Sequence, residues 1–221
     1  MKICFLDNSP IPYTSNDLNS KDIRGGENVI IHLSKELAKL NNNVEVFNNN
    51  SESQTFDNVK WTNINNTNKE NVFDYAFTNN DIRLFNKISA KNYIAFSHSI
   101  QSIEKFIRKG QLLSFLKYKP KVIILGKYHD DNRNFLLKLF GKINLQWAVD
   151  PLFLEAEIDD SNVENRAIFT SRRDRNLDIL IDIWKKKIFP KNKSIKLFVT
   201  PSDLIENNFN IYSRNFDNKI S

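Results

Sequence analysis

Three short stretches of this 221-residue chain carry residue types that could do chemistry. Gly25-Gly26-Glu27 stands between an apolar, strand-like opening at residues 2–7 and a helix-like run at residues 27–40. A glycine pair there lets the backbone approach a ligand closely. The helix behind it offers unpaired N–H groups and the positive end of its dipole to an anion. His98 closes a second strand-like run that begins at Asn92. Open α/β sheets bind ligands at such carboxyl ends, where an imidazole could orient a hydroxyl or take a proton. Ser171-Arg172-Arg173-Asp174-Arg175-Asn176 follows another strand pattern and precedes an amphipathic helix, a turn at which guanidinium groups suit capture of a diphosphate. Each stretch also has a plain alternative: a turn, a histidine satisfied by a carbonyl, or surface ion pairs with Asp174 and Asp178.

Other chemistries are poorly supplied. There is no G-x-G-x-x-G, no Lys-Ser/Thr after the glycines and no G-x-S-x-G. Cys4 is the only cysteine and lies in the first strand pattern. It reads as a small buried hydrophobe that can make no intramolecular disulfide, which fits a reducing cytoplasm. His32 falls inside the first helix and His129 opens another beside Asp130 and Asp131. Neither has the spacing of a closed metal site, so no metal and no other cofactor is expected. The net charge of +6 and pI of about 9.2 suit an anionic partner. The basic residues are nevertheless dispersed, in small clusters at 117–121, 172–173 and 185–187 that lack interleaved aromatic platforms on one recognisable element, and nucleic acid is not the expected partner. Nowhere are there eighteen consecutive apolar residues, and the opening is too short for a signal sequence, so the chain reads as cytoplasmic, soluble or peripheral. Roughly one residue in seven is Asn, read as codon bias, with Asn48-Asn49-Asn50 taken for a polar loop.

The elements that must position these residues alternate, strand then helix, which predicts an α/β fold with an open, mostly parallel sheet. After the first strand and helix come strands at 43–47, 59–64 and 73–78, the strand ending at His98, a helix at 100–116, a strand at 121–125, a helix at 132–140 and a strand at 143–149. Ile30, Leu33, Leu37 and Leu40 form an apolar stripe on the first helix; Leu177, Leu180, Ile181, Trp184 and Ile188 form one on a later helix. Polar and acidic residues at 156–164 mark a boundary, which divides the chain into a domain at 1–158 and a partial one at 159–221. The second begins strand 167–170, helix 176–189, strand 195–200, with at most one further strand after that.

Gly25-Gly26-Glu27, with Leu33 to Leu40 and Val44-Glu45-Val46-Phe47, resembles the opening of group 1 (family 4) glycosyltransferases of the GT-B fold. Trp147-Ala148-Val149-Asp150-Pro151-Leu152-Phe153 is similar to their "NGVD…F" inter-domain segment, with Trp-Ala in place of Asn-Gly. Phe169 to Asp178 with Ile183-Trp184 resembles the "SRPDRGLD … W" entry to their second domain. The resemblance implies two Rossmann-like domains, the second incomplete here, and metal-independent, retaining transfer of a sugar from a nucleotide diphosphate sugar donor to a glycan or lipid-linked acceptor, with peripheral membrane contact for the latter. It implies that Gly26 approaches the donor phosphates while Gly25 makes the turn. His98 would stand at the acceptor side, and Arg172 and Arg175 would neutralise the diphosphate leaving group. The family's E-x7-E element has no counterpart, because Glu206 is the only Glu after Glu164, and Asn176 replaces a usual Gly. A truncated or degenerate chain with weak or no turnover is therefore expected, the alternative being a non-catalytic binding or assembly module.

Overall fold

The computed structural model describes residues 1–18, 20, 22–98, 100–146, 148, 154–155, 165–171 and 175–199. The chain divides into two compact units, Met1–Ala148 and Val149–Ser221. The first is built around β1 (Lys2–Leu6), whose alternate residues enter different cores: Ile3 and Phe5 on one face, Cys4 and Leu6 on the other. A strand apolar on both faces belongs inside a parallel sheet covered on both sides. β1 pairs in parallel with β2 (Asn43–Asn48) and with β5 (Val72–Asn79). The sheet continues through β4 (Val59–Asn63) on one side, and through β6 (Ser89–Phe96), β7 (Lys121–Ile124) and β8 (Lys142–Asn144) on the other. With the short β3 (Gln54–Phe56), the order is β3-β4-β2-β1-β5-β6-β7-β8, all parallel except β3 against β4. This is the Rossmann-like doubly wound arrangement, and its strand order reverses between β1 and β5.

Helix α1 (Gly25–Lys39) covers the face of Ile3 and Phe5, packing Ile30, Ile31 and Ala38 against Val44, Val46 and Trp61. The opposite face is closed by α2 (Ile103–Arg108), α3 (Leu112–Tyr118) and α5 (Phe135–Lys138), which contribute Phe106, Phe115 and Leu137. Between α3 and α5 the short α4 (Lys127–Asp131) follows β7.

Several sequence expectations change in detail. The helix expected at 100–116 is two helices, because Gly110 takes φ +63°. Its N–H bonds to the carbonyl of Ile107, and the N–H of Gln111 bonds to that of Phe106, the paired bonds of a Schellman stop. The helix at 132–140 is replaced by α4, which starts earlier, and the brief α5; of the strand expected at 143–149, β8 takes in 143–144, and 147 and 149 lie outside the described residues. The polar stretch before β4 hides β3, joined to it by Asp57 and Asn58 at φ 51° and 59°, a two-residue hairpin turn of the left-handed kind. On α1 the expected stripe holds for Ile30, Leu33 and Leu37, which pack into the core with Ile31 and Ala38, but not for Leu40, the C-cap, which is exposed.

The described part of the second unit is a strand–helix–strand: β9 (Arg166–Phe169), α6 (Leu177–Ile183) and β10 (Lys196–Val199), with β9 and β10 parallel. The expected stripe on its helix holds, with Leu177 fully buried and Leu180, Ile181, Trp184 and Ile188 half-buried among exposed neighbours. The helix runs on as a π turn at Trp184–Ile188, where the N–H of Phe189 reaches the carbonyl of Trp184.

A Gly110→Ala substitution meets open space but must hold a left-handed backbone. It should cost about 1–2 kcal/mol, read as a fall of several degrees in thermal midpoint; no fall would show that the stop between α2 and α3 does not depend on that residue.

Candidate functional site

The carboxyl ends of β1 and β5, where the strand order reverses, are the place this fold leaves for a ligand. Asp7 follows β1, Asn79 ends β5, His98 lies two residues past β6, and α1 begins beside them at Gly25. The glycines are thus the first residues of the helix rather than a turn before it. Gly25 has ample room: a side chain there would meet nothing within 4 Å. Gly26 has none, since a Cβ would lie 2.9 Å from Nδ2 of Asn79 and 3.6 Å from Nε2 of His98. The structure therefore brings Gly26 and His98 together and adds Asn79. The N-cap of α1 is Arg24, whose side chain makes no capping bond, so the first N–H groups of the helix are left to an anion or to water.

A buried polar layer supports this corner. Asp7, 3% exposed, accepts a hydrogen bond from the Tyr13 hydroxyl at 2.8 Å and a long one, 3.5 Å, from Nδ2 of Asn79. Burial raises the Asp7 pKa above the usual carboxylate value; the Tyr13 bond opposes this and the nearby Glu27 charge adds to it. Burial pushes Tyr13 far above its ordinary range, so its hydroxyl stays a donor. Glu27, also buried, accepts from Oγ of Ser9 at 2.5 Å. The loop between β1 and α1 is pinned from β2: Asn48 and Asn50 both donate to the carbonyl of Tyr13, and Asn49 donates to that of Ser9. The asparagine run read as a polar loop is a clamp. A second tie joins this loop to the one after β5, where Asn8 donates to Asp81 and Arg83 forks onto the same carboxylate. Burial alone would raise the Asp81 pKa, but the Arg83 fork outweighs it and holds the carboxyl below its usual value.

His98 packs edge-on against Phe96 at 4.6 Å between ring centroids. Burial pushes the imidazole below its ordinary 6.5; the Glu27 carboxylate pulls it up and the Lys105 ammonium pushes it down. At neutral pH the ring is uncharged, able to accept a proton or to orient a hydroxyl.

Of the remaining sequence candidates, Arg175 is exposed in the second unit, and Arg172 lies outside the described residues, as do Trp147 and residues 149–153. Asn176 adopts φ 66°, a left-handed conformation that Asn tolerates better than other side chains. This explains how it can stand where the resemblance has glycine. Cys4 is fully buried, and burial raises its thiol pKa far beyond the reactive range. Among the described residues no three His, Cys, Asp or Glu side chains gather to hold a metal, and no helix is long and apolar enough to cross a membrane.

Two expectations follow. The His98 ring should titrate below 6.5 by NMR, and Glu27→Gln, by removing the attraction for its proton, should lower the midpoint further; an unchanged midpoint would separate the two groups. Because the unfolded chain protonates this histidine at a higher pH than the folded one, its contribution to stability is present above 6.5 and is lost as the pH falls through the folded pKa.

No protein-family model matches the sequence. No curated protein matches it either. Among solved structures the chain is similar to a sucrose-phosphate synthase from Thermosynechococcus elongatus, at 9% identity over 90% of this chain and 71% of that one, with a TM-score of 0.46.

Proposed function

We propose that this chain is a glycosyltransferase-like protein that binds a nucleotide diphosphate sugar and a glycan or lipid-linked acceptor. The observation that carries the reading is the crowding of Gly26, Asn79 and His98 at the uncapped start of α1, at the point where the strand order reverses. A side chain at that helix position would press on the Asn79 amide; with glycine there, a donor phosphate could meet the free N–H groups at the start of α1, while a neutral imidazole stands beside it for an acceptor hydroxyl. Arg172 and Arg175 are the proposed cations for the diphosphate leaving group, where they would stabilise charge that develops as the sugar departs. Retention and independence of metal belong to the same proposal, on the strength of the sequence resemblance.

A lipid-linked acceptor and peripheral membrane contact are supported by the surface of α2 and α3. Ile107, Leu113 and Leu116 are exposed there beside Arg108, Lys109 and Lys117, apolar and basic side chains of the kind that settle together into an anionic lipid interface. A second reading is a binding module without turnover, in which the same corner holds a ligand but no sugar is transferred.

Binding of uridine and guanosine diphosphates by calorimetry tests the proposal. Gly26→Ala should weaken binding at least tenfold, because its methyl displaces Asn79 from the anion end of α1, whereas Gly25→Ala should leave it unchanged. Arg175→Ala should cost roughly 1.5–3 kcal/mol, as for loss of a charge-assisted hydrogen bond. Equal affinity in wild type and both Gly26 and Arg175 variants would refute the site. Binding without hydrolysis or transfer from any nucleotide sugar would select the second reading.

A further inference from the structure

The basic residues are scattered along the sequence, but the excess of positive charge is not. From the start of α2 to the end of β8, residues 103–144 hold ten Lys and Arg against three Asp and Glu. Residues 1–102 hold ten against eleven, and residues 145–221 twelve against twelve. The net +6 of the chain therefore comes from one stretch. Of its three carboxylates, Asp130 is shared by Arg133 and Lys142, which leaves Glu104 and Asp131 for the other eight cations.

The same stretch carries most of the exposed apolar side chains of the first unit. Among the described residues of 1–102, the large exposed ones are Met1, Leu40 and Val72; in 103–144 they are Ile107, Leu113, Leu116, Tyr128, Phe135 and Leu139. Four of these six share one face. The rings of Phe106 on α2, Phe115 on α3 and Phe140 just after α5 touch in series, with centroids 4.8 Å apart at each step. Ile107, Leu116 and Leu139 are their immediate neighbours in the chain, turned outward at 60%, 48% and 77% exposure. Leu113, 82% exposed, lies one turn before Leu116. Exposed Arg108, Lys117 and Lys138 flank these side chains in turn.

The mixture decides the occupant. A nucleic acid would meet the cations but has no use for aliphatic side chains set between them. A second copy, docked by a two-fold axis, would press this positive face against itself. An anionic bilayer accepts both parts, taking leucine and isoleucine at the acyl boundary and Lys and Arg among its headgroups.

We propose that the face of α2, α3 and the α5 end seats this protein on a bilayer that displays anionic headgroups, which gives the membrane contact suggested above its partner. The same helix reaches the candidate site: Nζ of Lys105 on α2 donates to Oγ of Ser97 at 3.4 Å, next to His98. The lipid surface stands without the transferase reading; that an acceptor is presented to His98 from that surface rests on it.

Co-sedimentation of the full chain with vesicles, in the absence of nucleotide and sugar, tests the surface apart from the function. The chain should pellet with vesicles of phosphatidylglycerol and phosphatidylcholine and stay in solution with phosphatidylcholine alone. Raising the salt from about 0.1 M to about 0.5 M should weaken binding at least tenfold. Each basic residue at an anionic surface strengthens binding about fivefold, so Arg108→Gln with Lys109→Gln should weaken it about tenfold or more. Leu113→Ser with Leu116→Ser should also weaken it about tenfold or more, through lost apolar burial, whereas Leu40→Ser, at an exposed apolar position outside the face, should change nothing. No binding to anionic vesicles, equal binding to neutral ones, or binding indifferent to both double variants would overturn the proposal. A wild-type dimer that the leucine variant splits into monomers would overturn it too, making the face a contact between copies. If the leucine variant does not fold, the charge variant and the salt series decide in the same way.

Discussion

The constraint on which the first unit depends is the hydrogen bond from Tyr13 to the buried Asp7 carboxylate, and the asparagines that hold Tyr13 in place. A carboxylate at the end of a central strand is expensive to bury, and its raised pKa expresses that cost. The expense is tolerated because Tyr13, Asn79 and the β1–α1 loop satisfy the oxygens. Through that loop the carboxylate fixes where α1 starts, hence where Gly26 sits and how close His98 can come to it. Packing secures the sheet, but the polar layer sets the geometry at its edge.

This division explains what was legible in the sequence. β1 and β7 were readable as short apolar runs buried on both faces, and β2, β5 and β6 by their β-branched and aromatic residues between polar ones; the stripe on α6 was readable from its helical spacing. Gly110 was visible in the sequence but not its consequence, since a glycine inside a periodic pattern stops a helix only if the next element turns away. β3 had no apolar signature and is held by turn geometry at Asp57 and Asn58 instead.

The site was half legible. Gly26 and His98 stood out by residue type and position, and the fold brings them together. Asn79 and the Asn48-Asn49-Asn50 clamp were hidden by composition: in a chain where asparagine is so abundant, the few that tie one loop to another look like the many that do not. Their signal was positional, since both groups lie at the carboxyl end of a strand. Tyr13 offered no signal at all, because its partner is six residues away through an irregular loop.

The reversal of strand order between β1 and β5 also governs when the site can exist. β1 pairs with residues about seventy positions later, and the histidine arrives later still. As the chain is synthesised, β1, α1 and β2 can assemble with no ligand corner to occupy, and Asp7 is left without Asn79 until β5 has emerged. Anything that binds at this corner can therefore stabilise only chains already complete through β6.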